Sequence, residues 1–269
     1  MNGPDLKVLA GNASNGARSL VPAVDRAIRI LTLLEAQPNQ PMTVSDIARA
    51  LDIPKSTTFN ICSALVEGQL LRRSRDGFQL GRLLVQLGSA YVSSINLVRE
   101  FYEVAVTAPA DLQATIQLGV LDERLNVIFL AYQDCDSGLR LGLGGAVGRL
   151  VPANCSACGK ALLALLPEEE FRQRLAAVPQ LTKLTRHSIS SPARLAKEIA
   201  DIRRDGYSTD DEETLADLRC VAMAFPTSYA DYGLVAVSIS ADKNTLTKKR
   251  QNVIRDVLRD VVEALQRRV

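Results

Sequence analysis

Apolar positions recur at helical spacing through the first third of the chain, and at strand spacing through much of the remainder. Ala27, Ile30, Leu31 and Leu34 make one face of a helix over Val24–Ala36, with Arg26, Arg29 and Glu35 off it. Gln37-Pro38-Asn39-Gln40-Pro41 ends that helix, because proline cannot continue the hydrogen-bond ladder. Thr43 reads as the N-cap of a second helix, with Asp46 three residues on completing a capping box. Ile47, Ala50 and Leu51 face inward from it. Leu51-Asp52-Ile53-Pro54 is a tight turn, and a third helix runs from about Ser56 to Glu67 with Ile61, Cys62 and Leu65 inward.

Leu70–Ser74 and Gly77–Leu80 read as two short strands around the turn Arg75-Asp76-Gly77. Three helices and a basic hairpin make a winged helix-turn-helix. The third helix can lie in a major groove, and its free amide groups favour a phosphate. Thr43, Lys55, Ser56, Thr57, Thr58 and Asn60 are the candidate DNA contacts on the helices, and Arg72, Arg73 and Arg75 those of the wing. A winged helix used only for protein contacts would not need a polar first turn together with a basic wing.

Gly81–Ser94 is another amphipathic helix, apolar at Leu83, Leu84 and Leu87, and a further helix runs from Leu97 to Val106, with continuation past Pro109 left open. Their apolar sides suit a dimer contact. From Ala114 the period changes to that of strands: Ala114–Leu121 and Asn126–Tyr132 form a hairpin, and Gly138–Leu143 a third strand. The glycine-rich stretch Gly142–Gly148 is no dinucleotide fingerprint, because no strand-glycine-helix order follows it. Helices over Cys155–Leu166, from Pro167 onward, and over Pro192–Asp205 alternate with apolar strands at Arg219–Phe225 and Gly233–Ser240. A helix over Asn244–Val269 closes the chain, with Val253, Ile254, Leu258, Val261, Val262 and Leu265 on its apolar faces. The expected class is α+β: a disordered tail over 1–19, a winged helix-turn-helix over 20–81, a linker helix over 82–96 and an α/β domain over 97–269.

Composition narrows the possibilities further. The 269 residues suit two domains, and no apolar run approaches the length of a membrane helix. Five cysteines, an odd number with no export signal ahead of them, point to a reducing cytoplasm. Residues 1–80 hold nine Lys/Arg against seven acids, so the whole net charge of +2 lies there. That excess is small. The cluster Arg72, Arg73 and Arg75 says more than the total.

Several stretches resemble one family in order and spacing, over roughly residues 20 to 268. VDRAIRILTLLEAQ, TVSDIARALDIPKSTTFNICSALVEGQLLRR and GFQLGRLLVQLG look like the DNA-binding half of IclR-family transcriptional regulators. GRLVPANCSACGKALLALLPEEE, IRRDGYSTDDEE, LRCVA and GLVAVSIS resemble that family's effector-binding half. The resemblance implies a GAF-like ligand domain and a homodimer or homotetramer. It also implies ligand-controlled regulation, here expected to be repression, of a catabolic operon through a double-stranded DNA operator. No membrane partner, cofactor, metal or enzymatic activity is expected. The sequence departs from the family's usual residues at Asn60, Cys155, Ser156, Cys158, Asp217 and Ala224.

The effector implied is a small organic acid, and the small residues Ala157 and Cys158 suggest an aromatic one. Such a ligand needs amides at a helix start and a few hydroxyls over an apolar floor. Asn154–Lys160 offers the helix start. Ser238 and Ser240 share a face because side chains two apart in a strand point the same way. By the resemblance, Ala157, Cys158, Asp210, Leu218, Cys220, Ser238 and Ser240 line the effector site, with Leu141, Leu143 and Val151 as apolar wall. Two rival readings use the same residues. Cys155-x-x-Cys158 at a helix start could be a redox pair or half a metal site, with Cys220 and His187 as further ligands. Cys220, His187 and Asp210 could form a hydrolytic trio, although His187 sits in the polar loop Thr185-Arg186-His187-Ser188.

Overall fold

The computed structural model describes residues 20–135, 147–229, 232–247 and 250–269. It divides into two compact units, the first reaching Val92 and the second beginning at Ser93.

The first unit holds α1 (Pro22–Glu35), α2 (Val44–Leu51), α3 (Lys55–Glu67), β1 (Leu71–Arg73), β2 (Phe78–Leu80) and most of α4 (Leu83–Ser93). The expected capping box is present: the Asp46 amide donates to Thr43 Oγ1 at 3.2 Å, and the Thr43 amide to Asp46 Oδ2 at 3.2 Å. Asp52 ends α2 in the left-handed region (φ 53°), which turns the chain into Pro54 and α3. Ile30, Leu33 and Leu34 of α1 meet Ile47, Leu51, Cys62, Leu65, Leu71 and Phe78 in one core. Met42 adds a bridge to Phe78, so the hairpin is pinned to the start of α2. Gly77 (φ 142°) makes that possible, since a side chain there would run into the Met42 carbonyl. No residue of α4 is buried, and Leu87 is exposed.

In the second unit, α5 (Asn96–Ala105) stops before Pro109 instead of passing it, and a 3₁₀ turn over Ala110–Leu112 leads into the sheet. Among the described residues its sheet has six strands, β3 (Ala114–Leu121), β4 (Asn126–Cys135), β5 (Leu150–Pro152), β6 (Ser208–Asp211), β7 (Leu218–Pro226) and β8 (Leu234–Asp242). All pairs are antiparallel, in the order β5-β4-β3-β8-β7-β6, so the strands at the two ends of the domain's sequence meet in the middle. The sequence reading missed β5 and β6, which are short edge strands of three and four residues. The strand expected over Gly138–Leu143 lies outside the described residues.

Helix α6 (Ala157–Leu165) packs on one face of the sheet against Ala222 and Ala236, backed by α7 (Glu168–Ala176) and α8 (Pro192–Asp205). Helices α5 and α9 (Gln251–Gln266) also pack on the sheet. Val235, Val237 and Ile239 alternate with Ala236, Ser238 and Ser240 and so point to the face opposite α6. Helix α9 starts seven residues later than expected, because Asp242 first turns the chain by accepting from the Asn244 amide at 2.8 Å. Val253 is exposed, while Ile254, Leu258, Val261, Val262 and Leu265 are buried as expected. Among the described residues no helix is long and apolar enough to cross a membrane.

Candidate functional site

On α3, Lys55, Ser56 and Asn60 are exposed and Thr57 is half-buried. No acidic residue stands in its first turn, so its free amide groups have no built-in competitor for a phosphate. Thr58 does not belong with them. Its side chain is fully buried and Oγ1 donates to the Pro54 carbonyl at 3.1 Å. Thr43 is exposed, but its hydroxyl donates to Asp46 Oδ2 at 2.6 Å and serves the cap. In the wing Arg72, Arg73 and Arg75 are all exposed; Arg73 stacks over the Phe78 ring at 5.9 Å, and none has a carboxylate partner among the described residues. The sequence reading overlooked Phe59, which is 46% exposed on the same helix.

In the second unit a cavity opens between α6 and the sheet, with about 540 Å³ of free space including its mouth. Every strand contributes to its lining: Val151, Phe129 and Tyr132, Gln117, Ser238 and Ser240, Leu218 and Cys220, and Asp210. Ser156, Ala157 and Cys158 close it from the start of α6. Thus Val151, Ala157, Cys158, Asp210, Leu218, Cys220, Ser238 and Ser240 come together around one space, while Leu141 and Leu143 lie outside the described residues. The helix start can press against the preceding turn because residue 159 is glycine; a Cβ there would collide with Ala153 backbone.

A row of polar groups crosses the cavity floor. Asp210 faces Cys220 and Cys220 faces Ser240 in register. Cys220 Sγ lies 3.8 Å from Asp210 Oδ2 and 3.1 Å from Ser240 Oγ, and Ser240 donates to Gln117 Oε1 at 2.8 Å. Asp210 Oδ1 accepts the Glu213 amide at 2.6 Å and the Thr214 amide at 3.3 Å. Burial raises the Asp210 pKa despite those bonds, and so favours a neutral carboxyl. Behind this wall Lys160, fully buried, donates to Glu213 Oε1 at 2.6 Å and Glu198 Oε1 at 3.1 Å. Burial works against the charge of Lys160, but the two carboxylates more than offset it and hold its pKa above the ordinary value.

Arg149 was not foreseen. It stands on the cavity wall, half-buried, with no side-chain hydrogen bond or ion pair among the described residues. Burial lowers its pKa, yet a guanidinium keeps its charge at any physiological pH.

The rival chemistries are not assembled. Cys155 Sγ donates to the Thr182 carbonyl at 3.3 Å, whereas Cys158 Sγ faces the Ala236 carbonyl at 4.0 Å. Burial raises both thiols, Cys158 to about 12, which disfavours the thiolate that redox or metal chemistry needs. Among the described residues no cluster of three His, Cys, Asp or Glu side chains could hold a metal. His187 is exposed, accepts from Arg186 Nε at 2.9 Å and does not line the cavity with Cys220 and Asp210. It is therefore not placed to act as their base.

A winged helix-turn-helix joined to a sheet-and-helix domain with a central cavity has the architecture of a ligand-controlled DNA-binding regulator. The profile of the IclR helix-turn-helix domain matches residues 23–75, and that of the bacterial transcriptional regulator IclR C-terminal region matches residues 89–267. The chain belongs to the IclR family of transcriptional regulators. It is 29% identical to the HTH-type transcriptional repressor AllR of Escherichia coli K12, over 95% of this chain and 94% of the relative. Its fold is that of an IclR-family regulator from Brucella abortus, with a TM-score of 0.76 at 20% identity and full coverage of both chains. An IclR homologue from Microbacterium hydrocarbonoxydans, solved with 4-hydroxybenzoate, has the same fold, with a TM-score of 0.66 at 22% identity over 90% of this chain and 98% of that one.

Proposed function

We propose that the chain is a repressor released from, or tightened on, its operator by a small organic acid bound between α6 and the sheet. The observation that carries this reading is Arg149, a half-buried cation on the cavity wall that has no partner among the described residues. An unpaired guanidinium in a partly desolvated site favours a carboxylate, with two parallel hydrogen bonds available to it. Phe129 and Tyr132 stand on the same wall and suit a flat, aromatic acid. Burial raises the pKa of Asp210, which lessens the repulsion an approaching anion would meet there. AllR being a repressor and the Microbacterium homologue holding 4-hydroxybenzoate agree with this reading.

On the DNA side, the proposed contacts are Lys55, Ser56, Thr57 and Asn60 of α3 and Arg72, Arg73 and Arg75 of the wing. The exposed Val85, Leu87 and Tyr91 of α4 suit a second copy, giving a homodimer or a homotetramer built from it. The domains proposed follow the sequence boundaries, 20–81 for reading, 82–96 for linking and 97–269 for sensing.

The test is a mobility shift on DNA from the chain's own upstream region, with benzoate, 4-hydroxybenzoate and short aliphatic acids added in turn. One class of acid should change the shift. Arg149→Gln should weaken that response roughly tenfold to a hundredfold, the range for one charge-assisted hydrogen bond, and leave ligand-free DNA binding intact. An unchanged acid response in Arg149→Gln would remove the proposed anchor.

A further inference from the structure

The outward face of α3 carries one large apolar group among polar ones. Phe59 is exposed in a stripe with Lys55, Ser56, Asn60 and Ser63, on the side away from the buried Thr58, Cys62 and Leu65. The ring belongs neither to the buried core of this unit nor to the partly buried residues packed against it. A ring left nearly half in water is area that becomes useful only when something apolar covers it.

Its neighbours say what that something is. Lys55 lies one helical turn before Phe59, and Ser56 and Asn60 flank it, so any partner must accept a cation and hydrogen bonds beside the ring. A major groove does so, with phosphates at its rims and polar base edges on its floor. Among those edges the apolar group is the C5-methyl of thymine. Asn60 beside it is suited to adenine, which accepts at N7 and donates from N6, so the two neighbours match the two bases of an A·T-rich step.

We propose that Phe59 is a specificity-determining residue that reads thymine by covering its C5-methyl. The inference rests on α3 being the helix that enters the groove. It concerns which base is preferred, and does not depend on the ligand or the cavity.

Uracil differs from thymine by that methyl alone, which gives a direct test. Duplexes enriched from a random pool by the full-length protein would be made with thymine or with uracil. The wild type should bind the uracil duplex about fourfold more weakly for each methyl covered, the fold-change that corresponds to burying one such group. Single replacements should localise the loss to one position in each half-site. Phe59→Ala should bind thymine and uracil duplexes equally, and Phe59→Leu should keep part of the difference. Circular dichroism and the melting temperature of Phe59→Ala should match the wild type, because the side chain lies outside the core.

Equal wild-type binding to both duplexes overturns the proposal. So does a thymine preference that persists in Phe59→Ala, which would place it in DNA shape. Ser56→Ala and Asn60→Ala separate the premise from the inference. If both leave binding of the two duplexes intact, α3 is not the groove helix. If they abolish it while Phe59→Ala keeps the preference, only the role of Phe59 fails.

Discussion

The two halves of the molecule handle polar groups in opposite ways. On α3 and the wing, Lys55, Ser56, Asn60, Arg72 and Arg75 stand in solvent with no side-chain partner among the described residues. On the cavity floor Asp210, Cys220, Ser240 and Gln117 are tied to one another, and Asp210 is also tied to backbone amides. The physical reason lies in the partner each awaits. DNA brings a dense row of charges and its own water, so flexible, hydrated side chains reach it at little desolvation cost. A small-molecule effector brings few atoms, and the site that holds it must be arranged beforehand because little binding energy is left for reorganisation. Arg149 is the exception on the sensing side: among the described residues its guanidinium has no side-chain partner, whereas Asp210, Cys220, Ser240 and Gln117 on the same cavity are bonded.

This contrast can be broken most forcefully at Lys160. Lys160→Met would strand Glu213 and Glu198 and should cost about 3–5 kcal/mol, as when one member of a buried ion pair is removed. Urea unfolding should show the loss in the sensing unit alone, with the helix-turn-helix transition unmoved. On the exposed side the effects should be smaller and salt-dependent. Lys55→Ala should weaken binding on all DNA sequences alike and lower the slope of log affinity against log salt by about 1, as read by titrations at several salt concentrations.

Thr43→Ala sharpens the contrast, because Thr43 is exposed yet already bonded. It should lower the stability of the reading unit by about 1 kcal/mol through loss of the cap, and change DNA affinity only through that loss. A further effect concerns pH. Burial raises the Glu213 carboxyl from 4.5 to about 7, even with Lys160 opposing. A folded-state pKa above the unfolded one means the folded protein binds the proton more tightly. The resulting stability is full below about 4.5 and fades as pH rises through about 7. Glu213→Gln should flatten the melting temperature of the sensing unit across that window.

How much of this was legible in the sequence depended on whether a residue belonged to a repeating pattern. The capping box at Thr43 and Asp46, the strand Ala114–Leu121 and the shared face of Ser238 and Ser240 follow from spacing alone. Thr58 was misassigned although the signal was present: it lies four residues before Cys62 and seven before Leu65, both read as inward. The same helical phase would have turned Phe59 outward. Arg149 had no such signal, because it sits between a glycine-rich stretch and a three-residue strand too short to show alternation. Strand β6 reads Ser-Thr-Asp-Asp and is a strand only because β7 pairs with it. Tertiary context overrode local preference there.

The strand order has a consequence for how the protein is made. β3 and β8 are neighbours at the centre of the sheet, with Thr115 opposite Ser240. A ribosome delivers these residues far apart in time: β3 can pair at once with β4, but waits for β8 until nearly the whole chain has emerged. The reading helices, whose contacts are local, can fold well before that. Each newly made copy therefore passes through an interval in which its helix-turn-helix is formed and its ligand cavity does not yet exist.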